Sequence, residues 1–160
     1  MPADPSAAPR TRILFVCLGN ICRSPAAEGI FLHRAAARGA LDRFEVDSAG
    51  LGGWHAGQRA DPRTLDEARR RGIRVPGVAR QVTPHDFAHH HLIVYMDARN
   101  RAGLERRGAD PGRLRPMAGF AAGDPRTEVA DPYEHGPEAF AAMFDHLERA
   151  VDGLLDSLLR

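Results

Sequence analysis

Cys17 and Arg23 stand at the two ends of Cys17-Leu18-Gly19-Asn20-Ile21-Cys22-Arg23, with Ser24 immediately after. A thiolate is a strong nucleophile, and a guanidinium is a planar fork that matches two oxygens of a phosphate. The five residues between them are enough for the chain to curl, so that the N–H groups of Leu18, Gly19, Asn20, Ile21 and Cys22 can face inward while Arg23 returns to the mouth. The Ser24 hydroxyl can donate to the Cys17 sulfur and stabilise it as a leaving group. Such an arrangement is a cradle for a tetrahedral anion with a nucleophile at its base. The spacing alone also fits an inert buried cysteine, which behaves as a small hydrophobe. The flanking elements are what favour the chemistry.

Ile13-Leu14-Phe15-Val16 is a continuous apolar run that ends at the Gly19-Asn20 turn, the pattern of a strand buried on both faces. Ser24-Pro25 then predicts a helix start, with Ser24 as N-cap, and an Ala-rich helix closing at Gly39. A helix N-terminus beyond a parallel strand offers free N–H groups and a positive dipole end, so an anion is favoured there, and so is the thiolate form of a cysteine. The same grammar predicts strands over 44–49, 91–96 and 114–117, and helices over 62–71 and 98–107. From Pro137, apolar residues at steps of three and four predict a long amphipathic helix. Alternating strands and helices imply a three-layer α/β fold: a central four-stranded parallel sheet, helices on both faces, and the phosphate loop after strand 1. Residues 1–11 read as a disordered lead-in and 12–160 as one domain.

Thiolate attack on phosphorus needs an acid for the leaving oxygen and then a base for water. Asp131, in Asp131-Pro132-Tyr133 just before the final helix, is the best candidate. Other Asp-Pro pairs occur, but only this one precedes an aromatic, and Tyr133 can wall a pocket and stack on an aryl ring.

Composition excludes several classes. All 22 basic residues are arginine, so Schiff-base chemistry, a pyridoxal anchor and a lysine-bearing Walker loop are ruled out. A net charge of +1 argues against nucleic acid or membrane as a general partner. No apolar run is long enough to span a bilayer and no signal segment is evident, so a cytoplasmic location is expected. Two thiols are too few for a four-cysteine zinc site, and His89-His90-His91 on an extended segment alternate sides, so no metal and no cofactor is expected. Beyond Arg23, the arginines, including Arg69-Arg70-Arg71, read as surface charge.

The chain resembles the low-molecular-weight protein tyrosine phosphatases. The likeness rests on FVCLGNICRSPAAEG at Phe15, then DSAG at Asp47, WHAG at Trp54, ADPR at Ala60, ARQVT at Ala79, YMD at Tyr95 and DPY at Asp131. The resemblance implies hydrolysis of protein phosphotyrosine and small aryl phosphates through a phosphocysteine, by a monomer inhibited by inorganic phosphate. By it Cys17 is the nucleophile, Arg23 holds phosphate, Asp131 is acid then base, and Ser24 assists the thiolate. Asn20, in a left-handed conformation, is expected to bond Ser48 and hold the loop, with Trp54 and Tyr133 as walls and His55 at the rim. Cys22 stands where the family often has a second thiol able to form a reversible disulfide with Cys17, although simple loop packing is the other reading. The family commonly has a second tyrosine after DPY, where this chain has Glu134, a change expected to disfavour acidic flanks beside it.

Two related activities are less well matched. Arsenate reductases resemble this loop but carry two further downstream cysteines, absent here. Phosphoarginine phosphatases typically have threonine where Ile21 stands, and the bulkier side chain favours an aryl phosphate.

Overall fold

The computed structural model describes residues 9–160; residues 1–8 of the lead-in expected over 1–11 lie outside them. Four parallel strands, β1 (Thr11–Cys17), β2 (Phe44–Gly50), β3 (Leu92–Tyr95) and β4 (Leu114–Pro116), lie in the order β2-β1-β3-β4. Strand β1 begins at Thr11, within the expected lead-in, because Thr11 pairs in register with Phe44. The helices are α1 (Arg23–Ala37), α2 (Pro62–Arg70), α3 (Pro84–His89), α4 (Ala98–Arg106) and α5 (Pro137–Leu158).

The central position of β1 explains its unbroken apolar run. Ile13, Phe15 and Cys17 join a core with α1, α2 and α5, whereas Leu14 and Val16 join a second core with Phe87 of α3 and Leu104 of α4. Every side chain from Ile13 to Cys17 is therefore buried. In α5, Phe140, Met143, Phe144, Leu147, Val151, Leu154 and Leu155 are buried along one stripe, with Leu158 partly covered at its end.

Helix α3 was not expected from the sequence pattern. It is six residues long with one apolar contact residue, Phe87, too short for periodicity to reveal; Thr83 and Asp86 form its capping box. It also corrects the extended histidine segment: His89 ends α3 and bonds Glu45, His90 is buried beside Asp86, and His91 Nδ1 accepts from Arg12 N–H. Nor are the other arginines only surface charge. Arg71 binds Glu67, Asp145 and Glu148 while lying over Phe144, which ties α2 to α5. Arg113 donates to the carbonyls of Phe87, Ala88 and His90 at the end of α3.

Parallel strands place their carboxyl ends together. From β1 the chain passes first to β2 on one side and later to β3 on the other, so a crevice opens between the ends of β1 and β3. Cys17 ends β1, and Asp97 follows β3.

Candidate active site

Residues 18–22 form the loop between β1 and α1, and among the described residues their N–H groups have no hydrogen-bond acceptor. Unpaired donors beside the first turn of a helix are an anion site in waiting. Ser24 is not the N-cap; Cys22 holds that position and Ser24 lies in the first turn. Its hydroxyl is instead 3.0 Å from Cys17 Sγ and accepts from Asn20 Nδ2 at 2.8 Å. The hydroxyl proton has two acceptors in reach, Cys17 Sγ and, farther off at 3.5 Å, the Ala49 carbonyl.

Asn20 shapes the loop. It has φ 59, the one non-glycine among the described residues with positive φ, a conformation its short polar side chain tolerates. Its Oδ1 accepts from the backbone N–H of Arg80 at 3.0 Å, which fixes the amide's orientation and aims Nδ2 at both Ser24 and Ser48. Ser48 in turn donates to Glu28 at 2.8 Å. Burial pushes the Glu28 carboxyl up to about 7, against the Ser48 hydrogen bond that favours its charge. Gly50 is required beside this loop, because a Cβ there would lie 3.0 to 3.1 Å from the backbone of Gly19 and Asn20.

The Arg23 guanidinium is buried. Nη1 donates to Asp97 at 2.6 Å and to the Val129 carbonyl at 3.1 Å, and Nη2 reaches Asp131 at 3.5 Å. Burial opposes its charge, but Cys17, Asp97 and Asp131 outweigh that and hold it above the ordinary arginine value. Because Asp97 and Val129 occupy Nη1, Nε and Nη2 are the donors that can turn to two oxygens of a ligand, Nη2 beside its long contact with Asp131. Cys17, Arg23 and Asp131 all line one cleft of about 150 Å³, together with Leu18, Gly19, Ile21, Cys22, Trp54, His55 and Tyr133.

Residues 12–160 match the family model described as low molecular weight phosphotyrosine protein phosphatase. The chain belongs to this family. It is 36% identical to the low molecular weight phosphotyrosine protein phosphatase of Schizosaccharomyces pombe, over 92% of this chain and 96% of that protein. The crystal structure of a protein tyrosine phosphatase from Entamoeba histolytica superposes with a TM-score of 0.88 at 36% identity, covering 92% of this chain and 96% of that one. YfkJ from Bacillus subtilis gives 0.89 at 34% identity, covering 95% and 96%.

The remaining features of this low molecular weight phosphatase site concern its walls. Trp54 is 68% exposed, yet its ring is seated: a Cβ on Gly52 would come within 2.0 Å of it. Tyr133 is 48% exposed on the Asp131 loop, where its N–H donates to Asp131 Oδ1. His55 packs its ring against Gly19. Glu134 is exposed and does not line the cleft. Burial first, then Asp61, Cys17 and Asp131, push the Cys22 thiol up to about 12, so it stays protonated at neutral pH; both cysteines are free.

Three supporting residues were not singled out from the sequence. Asp97 lies in the quoted YMD motif, but nothing there shows that its carboxylate both caps α4 through Asn100 N–H and holds Arg23. Arg63 lies in ADPR; it bonds Asp61 and donates to the carbonyls of Tyr133 and His135, pinning the Asp131 loop. Arg80 lies in ARQVT and bridges Asp47 and Asp86 while its backbone orients Asn20. Each motif was visible; the long-range partner was not.

Proposed function

We propose that this chain hydrolyses protein phosphotyrosine and small aryl phosphates through a phosphocysteine, with no metal or cofactor in the chemistry. Family membership supports the phosphatase assignment. The observation that carries the mechanism is the convergence of Cys17, the Arg23 guanidinium and the Asp131 carboxylate on one cleft.

The phosphoryl group sits in the loop, its oxygens held by the N–H groups of residues 18–22 and the Nε–Nη2 edge of Arg23. Cys17 attacks in line as thiolate, supported by the Ser24 hydroxyl, and the P–O bond to tyrosine breaks. Asp131 gives its proton to the departing phenolate. Asp131 then takes a proton from water as that water attacks phosphorus, the P–S bond breaks, and the Cys17 thiolate and inorganic phosphate are released. Arg23 stabilises the equatorial charge at both steps. Trp54 and Tyr133 flank the aryl ring, and Ile21 narrows the cleft.

One chain suffices for this scheme, and the expected form is a monomer with a single domain over 12–160. Inorganic phosphate, as product, is expected to compete for the loop. Among the described residues no helix is long and apolar enough to cross a membrane, and a cytoplasmic site of action fits a phosphatase of cell proteins. Turnover of p-nitrophenyl phosphate should vanish in Cys17→Ser; unchanged turnover would overturn the scheme. Asp131→Ala should lose more activity on phosphotyrosine than on p-nitrophenyl phosphate, whose leaving group needs no proton, and equal losses would refute the acid role.

A further inference from the structure

Beside the cleft runs a second, larger groove of about 540 Å³ that shares Leu18 and Trp54 with it. Its far wall is α4, which contributes Arg99 and Arg106, with Arg107 just past the helix end, and no carboxylate lines it. That is a concentration of one sign in a chain whose 22 basic and 21 acidic residues otherwise balance. Arg99 and Arg106 are exposed and, among the described residues, form no ion pair. The acids nearest in sequence are already engaged, Asp97 by Arg23 and Glu105 by Arg101.

The groove is fixed relative to the nucleophile. Its floor continues β2, where Leu51 N–H donates to the Cys17 carbonyl and Gly52 N–H to the Leu18 carbonyl, each at 3.0 Å. Arg107 donates to Gly103 and Leu51 carbonyls, and Gln81 also donates to Leu51, so α4 and the floor are locked together. Unneutralised cations held at a set place beside a reaction cleft select anionic partners and speed their encounter. Arg99 and Arg106 are seven positions apart on one helical face, about 10 Å along the axis, the span of about three residues of extended peptide.

We propose that this groove is a substrate subsite that binds an anionic side chain, carboxylate or phosphoryl, lying within a few residues of the phosphotyrosine. The proposal rests on the cleft taking phosphotyrosine, and it favours acid on the Trp54 side of that cleft. The Tyr133 loop takes no part in the groove.

The test is kcat/KM on phosphotyrosine peptides carrying Glu, Gln or phosphoserine at each of three positions on either side, normalised to each enzyme's turnover of p-nitrophenyl phosphate. The expected result is a Glu-over-Gln preference of about tenfold on one side, weakened by 0.5 M salt. It should fall to unity or invert in the double variant Arg99→Glu/Arg106→Glu, while the milder Arg99→Gln/Arg106→Gln variant reduces it. A phosphoserine preference without a Glu preference would assign the groove to phosphoryl groups. Equal rates across all peptides in the unaltered enzyme, or a preference that survives both double variants, would overturn the subsite while leaving the phosphatase assignment intact. Failure to hydrolyse p-nitrophenyl phosphate would instead overturn that assignment, and the subsite with it.

Discussion

Arg23 Nη1 lies 2.6 Å from Asp97 Oδ2, an ion pair between the helix that follows the Cys17–Cys22 loop and the turn that follows β3. The same carboxylate caps α4 through its other oxygen, Oδ1, which accepts from Asn100 N–H. Asp97 thus dictates which edge of the guanidinium faces the cleft, and the two roles are carried by different atoms.

Asp97→Asn separates them, since asparagine is as good an N-cap but, with its single oxygen on Asn100 N–H, turns toward Arg23 an NH2 group that cannot accept. We expect kcat/KM on p-nitrophenyl phosphate to fall about tenfold or more, with little change in the α4 cap. Unchanged kcat/KM would show that Asp97 serves only the helix. The measurement is steady-state kinetics alongside thermal denaturation.

Asn20 contributes both a backbone conformation and three hydrogen bonds, and two substitutions tell them apart. Asn20→Ala should lose stability, because alanine at φ 59 adds about 1 kcal/mol of strain to the lost bonds, and should lose activity. Asn20→Gly should recover the strain and leave activity low. Activity restored by glycine would mean that the hydrogen bonds to Ser24 and Ser48 do not support the loop.

Glu28 makes stability depend on pH in a direction opposite to that of an ordinary surface carboxylate. The folded state holds its proton more tightly than the unfolded chain, near 7 against 4.5. Its contribution is therefore fully present below about pH 4.5 and is lost as pH rises through 7. Glu28→Gln keeps an oxygen for Ser48 without the charge. In urea unfolding it should match the parent near pH 4.5 and exceed it near pH 8 by on the order of 3 kcal/mol. A parallel pH dependence in the two proteins would refute the assignment.

Gly153 illustrates packing over propensity. Replacing a mid-helix glycine with alanine ordinarily stabilises by about 1 kcal/mol. Here the new Cβ would fall 1.8 Å from the Phe120 carbonyl oxygen, where the 117–120 turn meets α5. Gly153→Ala should instead destabilise by about 2 kcal/mol or more, since either the turn or α5 must shift. A raised melting temperature would show that the turn yields cheaply.

The sequence alone determined whatever is encoded in neighbouring residues. The run Ile13–Val16 announced a strand covered on both faces, Gly39 closed α1 with φ 67, and Asp61-Pro62 opened α2 with Asp61 accepting from Arg63 N–H. The nucleophile loop was legible for the same reason: Cys17, Arg23 and Ser24 are close in the chain, so their spacing carries their geometry. Local signals also misled. Ser24-Pro25 looks like a helix cap, but Cys22 takes that position while the Ser24 hydroxyl meets Cys17 as the spacing suggests, and α3 was invisible because six residues bury too little to make a period.

Only the tertiary structure decided which distant charges meet. Arg23 finds Asp97 across 74 positions and Val129 across 106; Arg80 orients Asn20 across 60. In a chain with 22 arginines and 21 acids, composition permits a very large number of such pairs. The parallel sheet selects among them, because it gathers the carboxyl ends of strands remote in sequence and excludes the water that would otherwise satisfy each charge alone.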